Sequence, residues 1–274
     1  MDGWIKRTHI ICKVTGLLHL SIECMIAAVI AAYGIGLSKT GIAGVGIVAV
    51  ALFSLAIPGR ASVGIVLPLL VLADCFAVMY YRRNAVWSHL FRLFPWAALG
   101  IIIGAMAMRH VSDHQVGQIV GILLVALTAL QLVQKVQAKR AAEAGKTEAM
   151  AVGFLASGGV ASASLGLLAG FATMVGNAAG PLMILYLLAA RLPKEEFVGT
   201  GAWYFFCLNL FKIPFSVHLG NITRQTLMVD LQLAIFVVVG AISGRPILKR
   251  INQDLFENLS MFFTALAALK LIFI

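Results

Sequence analysis

Two glycine-broken stretches hold polar groups suited to binding an anion. The first is Gly34-Ile-Gly-Leu-Ser-Lys-Thr-Gly-Ile-Ala-Gly-Val-Gly46. The second is Gly170-Phe-Ala-Thr-Met-Val-Gly-Asn-Ala-Ala-Gly-Pro181. Glycine lets the backbone unwind and bare its N–H groups, and a helix starting just beyond presents its positive end. Ser38, Lys39 and Thr40 add two hydroxyls and a cation, while Thr173 and Asn177 add neutral donors. Together they suit a small oxyanion. The competing reading is close helix packing through small residues.

Few charges lie well inside an apolar run, and two of them matter most. Lys212 lies in Trp203–His218, between Phe211 and Pro214, and Asp74 lies in Leu67–Tyr80. Charge within a membrane segment is costly and by default marks function. Lys212 either supplies positive charge to a site or snorkels to an interface past the break at Pro214. Asp74 is a candidate proton-coupling group, a partner for a cation such as Lys212, or a fixed hydrogen-bonded carboxylate. Asn209 is the amide that stands in the matching place of the second half.

Weaker signals read more plainly. His19 and Glu23, at i and i+4, suit a mutual hydrogen bond. His110-xxx-His114 with Asp113 sits beside Arg109 and reads as a solvated loop, not a metal site. Asn221-Ile-Thr223 matches a glycosylation sequon that matters only in a eukaryotic secretory setting. Arg82 to Phe94 interleaves basic and aromatic residues, as an interfacial helix does. Cys12, Cys24, Cys75 and Cys207 have no metal-like spacing and are expected as buried thiols. No GxSxG, HExxH, Walker or Rossmann pattern is present, so neither an enzyme nor a cofactor is expected.

These residues need a scaffold, and composition names its class. Of 274 residues, 61% are hydrophobic and 12% charged. Soluble domains carry about 25% charged residues. The mean hydropathy of +0.97 points to an all-α polytopic membrane protein. Ten apolar segments are predicted: Gly16–Leu37, Ile42–Ile57, Ser62–Tyr81, Pro95–Met108, Val116–Val136, Ala151–Val175, Ala178–Ala190, Val198–His218, Leu227–Leu248 and Leu255–Ile274. The second, fourth and seventh are short and Gly-rich, as half-helices or re-entrant hairpins are. Eight to ten transmembrane segments follow. Alternate assignment puts 13 Lys and Arg on one side and 7 on the other, with Lys39 among the 13. The side with 13 is expected to face the cytoplasm. The net charge of +10 therefore reflects loops, not a nucleic-acid partner.

Shifting the second half back by 135 positions superposes its punctuation on the first. Pro58 and Gly64 fall on Pro193 and Gly199, Gly41 on Gly176, and Asp74 on Asn209. After a five-residue slip, Gly100 and Gly104 fall on Gly240 and Gly244. Five segments per half is odd, so the second copy would enter from the opposite face. The expected organisation is an extension over 1–20, a first repeat over 21–136, a cytoplasmic linker over 137–150 and a second repeat over 151–274.

Several of these runs resemble the sulfite exporter TauE/SafE family. They are Ser38-Lys-Thr-Gly-Ile-Ala-Gly44, Asp74 with Tyr80-Tyr-Arg-Arg-Asn-Ala-Val-Trp87, and Arg92-Leu-Phe-Pro-Trp96. In the second half they are Ala169 to Pro181, Leu192-Pro-Lys194, Gly199-Thr-Gly-Ala-Trp203 and Asn209-Leu-Phe-Lys-Ile-Pro214. Position 84 departs from the pattern, being Asn where relatives often carry His. The resemblance implies a secondary transporter of small, often sulfur-containing anions such as sulfite or organosulfonates, in a bacterial inner membrane. The expected site is Ser38, Lys39, Thr40, Thr173, Asn177, Asn209 and Lys212, with Asp74 for proton coupling. The expected partners are a small anion, the lipid bilayer and, as an option, a second copy in a homodimer. Two alternatives stay open: a cation or metal-ion transporter using Asp74 and Asn209, and a non-transporting membrane scaffold.

Overall fold

The computed structural model describes residues 22–40, 45–57, 59–110, 159–190 and 192–248, with scattered positions between 112 and 136. The extension 1–20 with His19, most of Val116–Val136, the linker 137–150 and Leu255–Ile274 lie outside the described residues. Among the described residues there are eight helices and no strand. They are α1 (Ile22–Thr40), α2 (Val45–Ala56), α3 (Arg60–Tyr81), α4 (Trp87–Met108), α5 (Gly159–Gly176), α6 (Gly180–Ala189), α7 (Lys194–His218) and α8 (Arg224–Leu248). In lipid a helix satisfies its own backbone, which is why apolar runs take this form.

Length separates two kinds of helix. α1, α3, α4 and residues Arg224–Gly244 of α8 are long and apolar enough to cross a membrane. α2 and α6 have 12 and 10 residues. At 1.5 Å per residue they reach about 18 and 15 Å, about half the hydrocarbon core. Short second and seventh segments were expected. The fourth is a correction, because α4 begins at Trp87 and runs 22 residues through Pro95. Leu90 and Leu93 bury on the same stripe as Ala97 and Ile101, and that continuous face carries the helix past the proline. Most of the expected interfacial helix is therefore the start of a spanning one.

Outward faces are apolar at helical spacing. Ile22, Ile26 and Ile30 on α1 and Leu231, Ile235 and Val239 on α8 are exposed. Such stripes suit lipid. They also explain a second correction: Cys75 is exposed, and Cys24 and Cys207 are only half-buried. With lipid outside, an apolar thiol needs no burial.

Glycines fix how the long helices pair. A Cβ on Gly36 would strike the backbone of Val237 and Ala241, and one on Gly240 the backbone of Tyr33 and Leu37. Gly244 lies against Thr40. Numbers rise together on both helices, so α1 and α8 run parallel. α4 and α5 do the same, with Gly100 against Leu167 and Phe171, Gly104 against Met174, and Gly170 against Ala97. At these positions the small-residue packing reading holds. α3 and α7 run antiparallel, since Gly64 lies against Asn221, Asp74 meets Asn209, and Gly199 lies against Asn84.

This register makes α1–α2 a hairpin that starts and ends where α3 begins. Ser54 of α2 hydrogen-bonds Ser62 of α3 there. The α5–α6 hairpin returns to the opposite end, where Tyr186 hydrogen-bonds His89 near the start of α4.

Candidate functional site

A cavity of about 160 Å³ lies between the two hairpins and against α7. Both glycine-broken stretches reach it. Ser38 and Lys39 come from the end of α1, Thr173 from α5, and Asn177 from the break before α6. Asn209 of α7 closes it, while Leu70 is the lining residue from α3. Five of the eight sequence-predicted residues thus meet at one cavity.

The other three sit behind its wall. Asp74 is fully buried on α3, with one carboxylate oxygen 2.8 Å from Lys39 Nζ. Its other oxygen accepts from Asn209 Nδ2 at 2.6 Å. Asp74 therefore pairs with Lys39 rather than Lys212. Lys39 is not a loop charge either, for its side chain is only 12% exposed and its ammonium lies 4.1 Å over the ring of Phe205. A cation over an aromatic face is held without a further counter-ion.

Lys212 is fully buried and does not snorkel. Its ammonium donates to Thr173 Oγ at 3.1 Å and to Asn177 Oδ1 at 2.5 Å. Both partners are neutral. Asn177 then donates through Nδ2 to the carbonyl of Val63 on α3, at 3.2 Å. Its backbone is left-handed, φ 53°. Asn tolerates that region better than most residues, and the turn aims the amide at Lys212.

The hydrogen bonds decide which donors face the cavity. Asn177 gives its oxygen to Lys212 and an N–H to Val63. Ser38 donates to the carbonyl of Ile35 one turn back, at 2.8 Å. Thr173 accepts from Lys212 and keeps its own proton to give. Lys39 spends one direction on Asp74 and has others open. Thr40 is turned away. Its hydroxyl bonds the carbonyl of Gly36, and its own carbonyl accepts from Tyr81.

Lys39 and Lys212 together oppose one carboxylate, Asp74. Protonated, the group carries one uncompensated positive charge beside an otherwise apolar pocket. Phe205 escaped the sequence reading. Its signal was spacing, since it precedes Asn209 by four residues on the same helix face. Gly180, at the start of α6, also lines the cavity, and a Cβ there would meet nothing within 4 Å.

The sulfite exporter TauE/SafE family matches the chain over residues 26–271. The chain belongs to that family. Neither a curated protein nor a solved structure matches it. TauE/SafE proteins are membrane transporters, and the four candidate spans agree with a multi-pass membrane protein. In this TauE/SafE member the two glycine-broken stretches supply opposite walls of one cavity.

Proposed function

We propose that this TauE/SafE member is a secondary transporter of a small oxyanion, sulfite or an organosulfonate, held in the cavity between the hairpins. The observation that carries the reading is the unbalanced charge: Lys212 is fully buried and, among the described residues, has only Thr173 and Asn177 as hydrogen-bond acceptors, both neutral. A bound anion supplies the missing counter-charge. Thr173 relays it, accepting from Lys212 and donating to the anion, while Lys39 makes the direct charged contact. A cation finds no open carboxylate here, because both oxygens of Asp74 are engaged.

We further propose an inverted pair of repeats that alternate access to this site. Support comes from α3 and α7, equivalent under the 135-residue shift, which run antiparallel and cross at Asp74 and Asn209. The parallel pairs α1–α8 and α4–α5 exchange under the same shift once the five-residue slip between α4 and α8 is included. The cavity follows α7 through Phe197, Gly201 and Phe205 and takes only Leu70 from α3. Exchanging the halves carries the opening to Ser62, Val66 and Leu70 of α3. The end holding Arg82, Arg83 and the start of α7 would face the cytoplasm of a bacterial cell.

Thermal unfolding of the purified protein tests the anion. Sulfite should raise the midpoint of the wild type and leave Lys39→Met and Lys212→Met unmoved. No shift with sulfite, sulfate or sulfoacetate, together with no sulfite flux in vesicles, would overturn the reading.

A further inference from the structure

Among the described residues Asp230 is the second buried carboxylate, and the anion site does not use it. It lies on α8 at 7% exposure. From Arg224, where the helix begins, it sits about 9 Å along the axis at 1.5 Å per residue. That helix is one of the candidate membrane spans.

Neither oxygen of its carboxylate has a hydrogen-bond partner among the described residues. The helices packed most closely on α8 are α1 and α3. Their ionisable groups at this end are Glu23 and Cys24 on α1 and Arg60 on α3, with Arg224 on α8 itself. None of these hydrogen-bonds or ion-pairs with Asp230. The parallel register, with Gly36 against Val237 and Ala241, sets Ala27 and Ala28 level with it. Alanine offers nothing to a carboxylate.

Asp74 makes the contrast plain. It is buried more deeply still, yet holds an ammonium on one oxygen and an amide on the other. An ionised carboxylate is tolerated in such a setting. A carboxylate with no partner is not, and takes a proton instead. More orphaned groups stand at the same end. Asn221, in the turn before α8, is 1% exposed with both amide atoms unpartnered, and Ser216 has an unpartnered hydroxyl. The backbone N–H of Asn221 bonds the carbonyl of Ser216, at 2.9 Å, so the two are neighbours. Among the described residues no cluster of three or more His, Cys, Asp or Glu side chains stands ready to hold a metal ion.

We infer that Asp230 is a proton-binding site, loaded in this conformation, that couples anion movement to a proton gradient. The inference rests on the transport reading above. α8 packs through glycines on α1, the helix whose last turn carries Lys39, so movement of the α1–α2 hairpin against α8 can hydrate Asp230 and release its proton. Asp74 then serves as the fixed counter-ion of Lys39.

The test uses the full chain in proteoliposomes with labelled sulfite. In the wild type a proton gradient should drive sulfite above its equilibrium level. Asp230→Asn should keep downhill exchange and lose all of that accumulation. Asp230→Glu should retain it with a displaced pH profile. Accumulation in Asp230→Asn equal to wild type overturns the inference, as does a drive supplied by sodium and not by protons. Infrared difference spectra separate this from failure of the transport reading. A protonated-carboxyl band at neutral pH, absent in Asp230→Asn or shifted in Asp230→Glu if the first variant does not fold, supports the site even without sulfite flux. Absence of the band in the wild type overturns it.

Discussion

Asp74 and Asn209 are 135 positions apart in the chain and bond side chain to side chain at 2.6 Å. That separation equals the shift that superposes the two halves, so the equivalent positions of the proposed repeats touch each other. A carboxylate and an amide make a better pair than two carboxylates, which would repel in a dry interior. The asymmetry also leaves one acid to balance Lys39 and none to balance Lys212.

Lys212→Met should sharply reduce anion movement without unfolding the protein. Methionine fills nearly the same volume and removes a buried charge that no carboxylate pairs, which offsets the cost of leaving Asn177 Oδ1 without its donor. Flux in reconstituted vesicles should fall roughly tenfold or more, the worth of one hydrogen bond to a charged group. Normal flux with an unchanged melting profile removes Lys212 from the site.

The Lys39–Asp74 pair should respond asymmetrically. Lys39→Met strands a fully buried carboxylate, which costs about 3–5 kcal/mol. Asp74→Asn leaves a lysine that still borders the cavity and keeps Phe205, so the loss should be smaller. The double variant Lys39→Met with Asp74→Asn should recover stability but not transport. Chemical unfolding of the four proteins gives the coupling directly, and additive effects would dissolve the pair.

Thr173 should tolerate Ser and reject Val. Serine keeps a hydroxyl that accepts from Lys212 and donates into the cavity, whereas valine keeps the shape and loses both bonds. Sulfite flux should survive in Thr173→Ser and drop in Thr173→Val. Equal flux in both would confine Thr173 to packing.

Glycine positions should divide by their surroundings. Gly100→Ala and Gly240→Ala push a methyl into facing backbone, and overpacking of this kind costs about 1–3 kcal/mol. Gly159→Ala, with open space around it, should be neutral. Melting midpoints of the three variants decide the matter.

Much of the site was legible because it broke a local rule. Lys212 stood out as a charge in an apolar run, and Ser38 and Lys39 as polar residues in a Gly-rich one, although α1 continues unbroken through Gly34 and Gly36 to Thr40. What was not legible depended on register between helices. Sequence offers Asp74 two lysines, and only the antiparallel fit of α3 on α7, with the end of α1 beside them, selects Lys39. Pro95 misled for the opposite reason. Proline reads as a helix boundary, yet the stripe from Leu90 to Ile101 overrode it. Asp230, near the start of the predicted span Leu227–Leu248, was not singled out from the sequence; its lack of partners is a tertiary fact. The orientation of each glycine contact was likewise beyond reach, although the spacing of Gly100 with Gly104 and Gly240 with Gly244 marked the helices that use them.

The glycine contact between α1 and α8 sets a timetable for biosynthesis. Gly36 must fit against Val237, about 200 residues later in the chain. At roughly 5–20 residues per second, a ribosome needs on the order of 10–40 s to deliver that partner. Through that interval α1 waits in the bilayer with Lys39 at its end and its glycine face uncovered. Stalling or truncation before α8 should therefore leave an orphan hairpin that membrane quality-control proteases recognise.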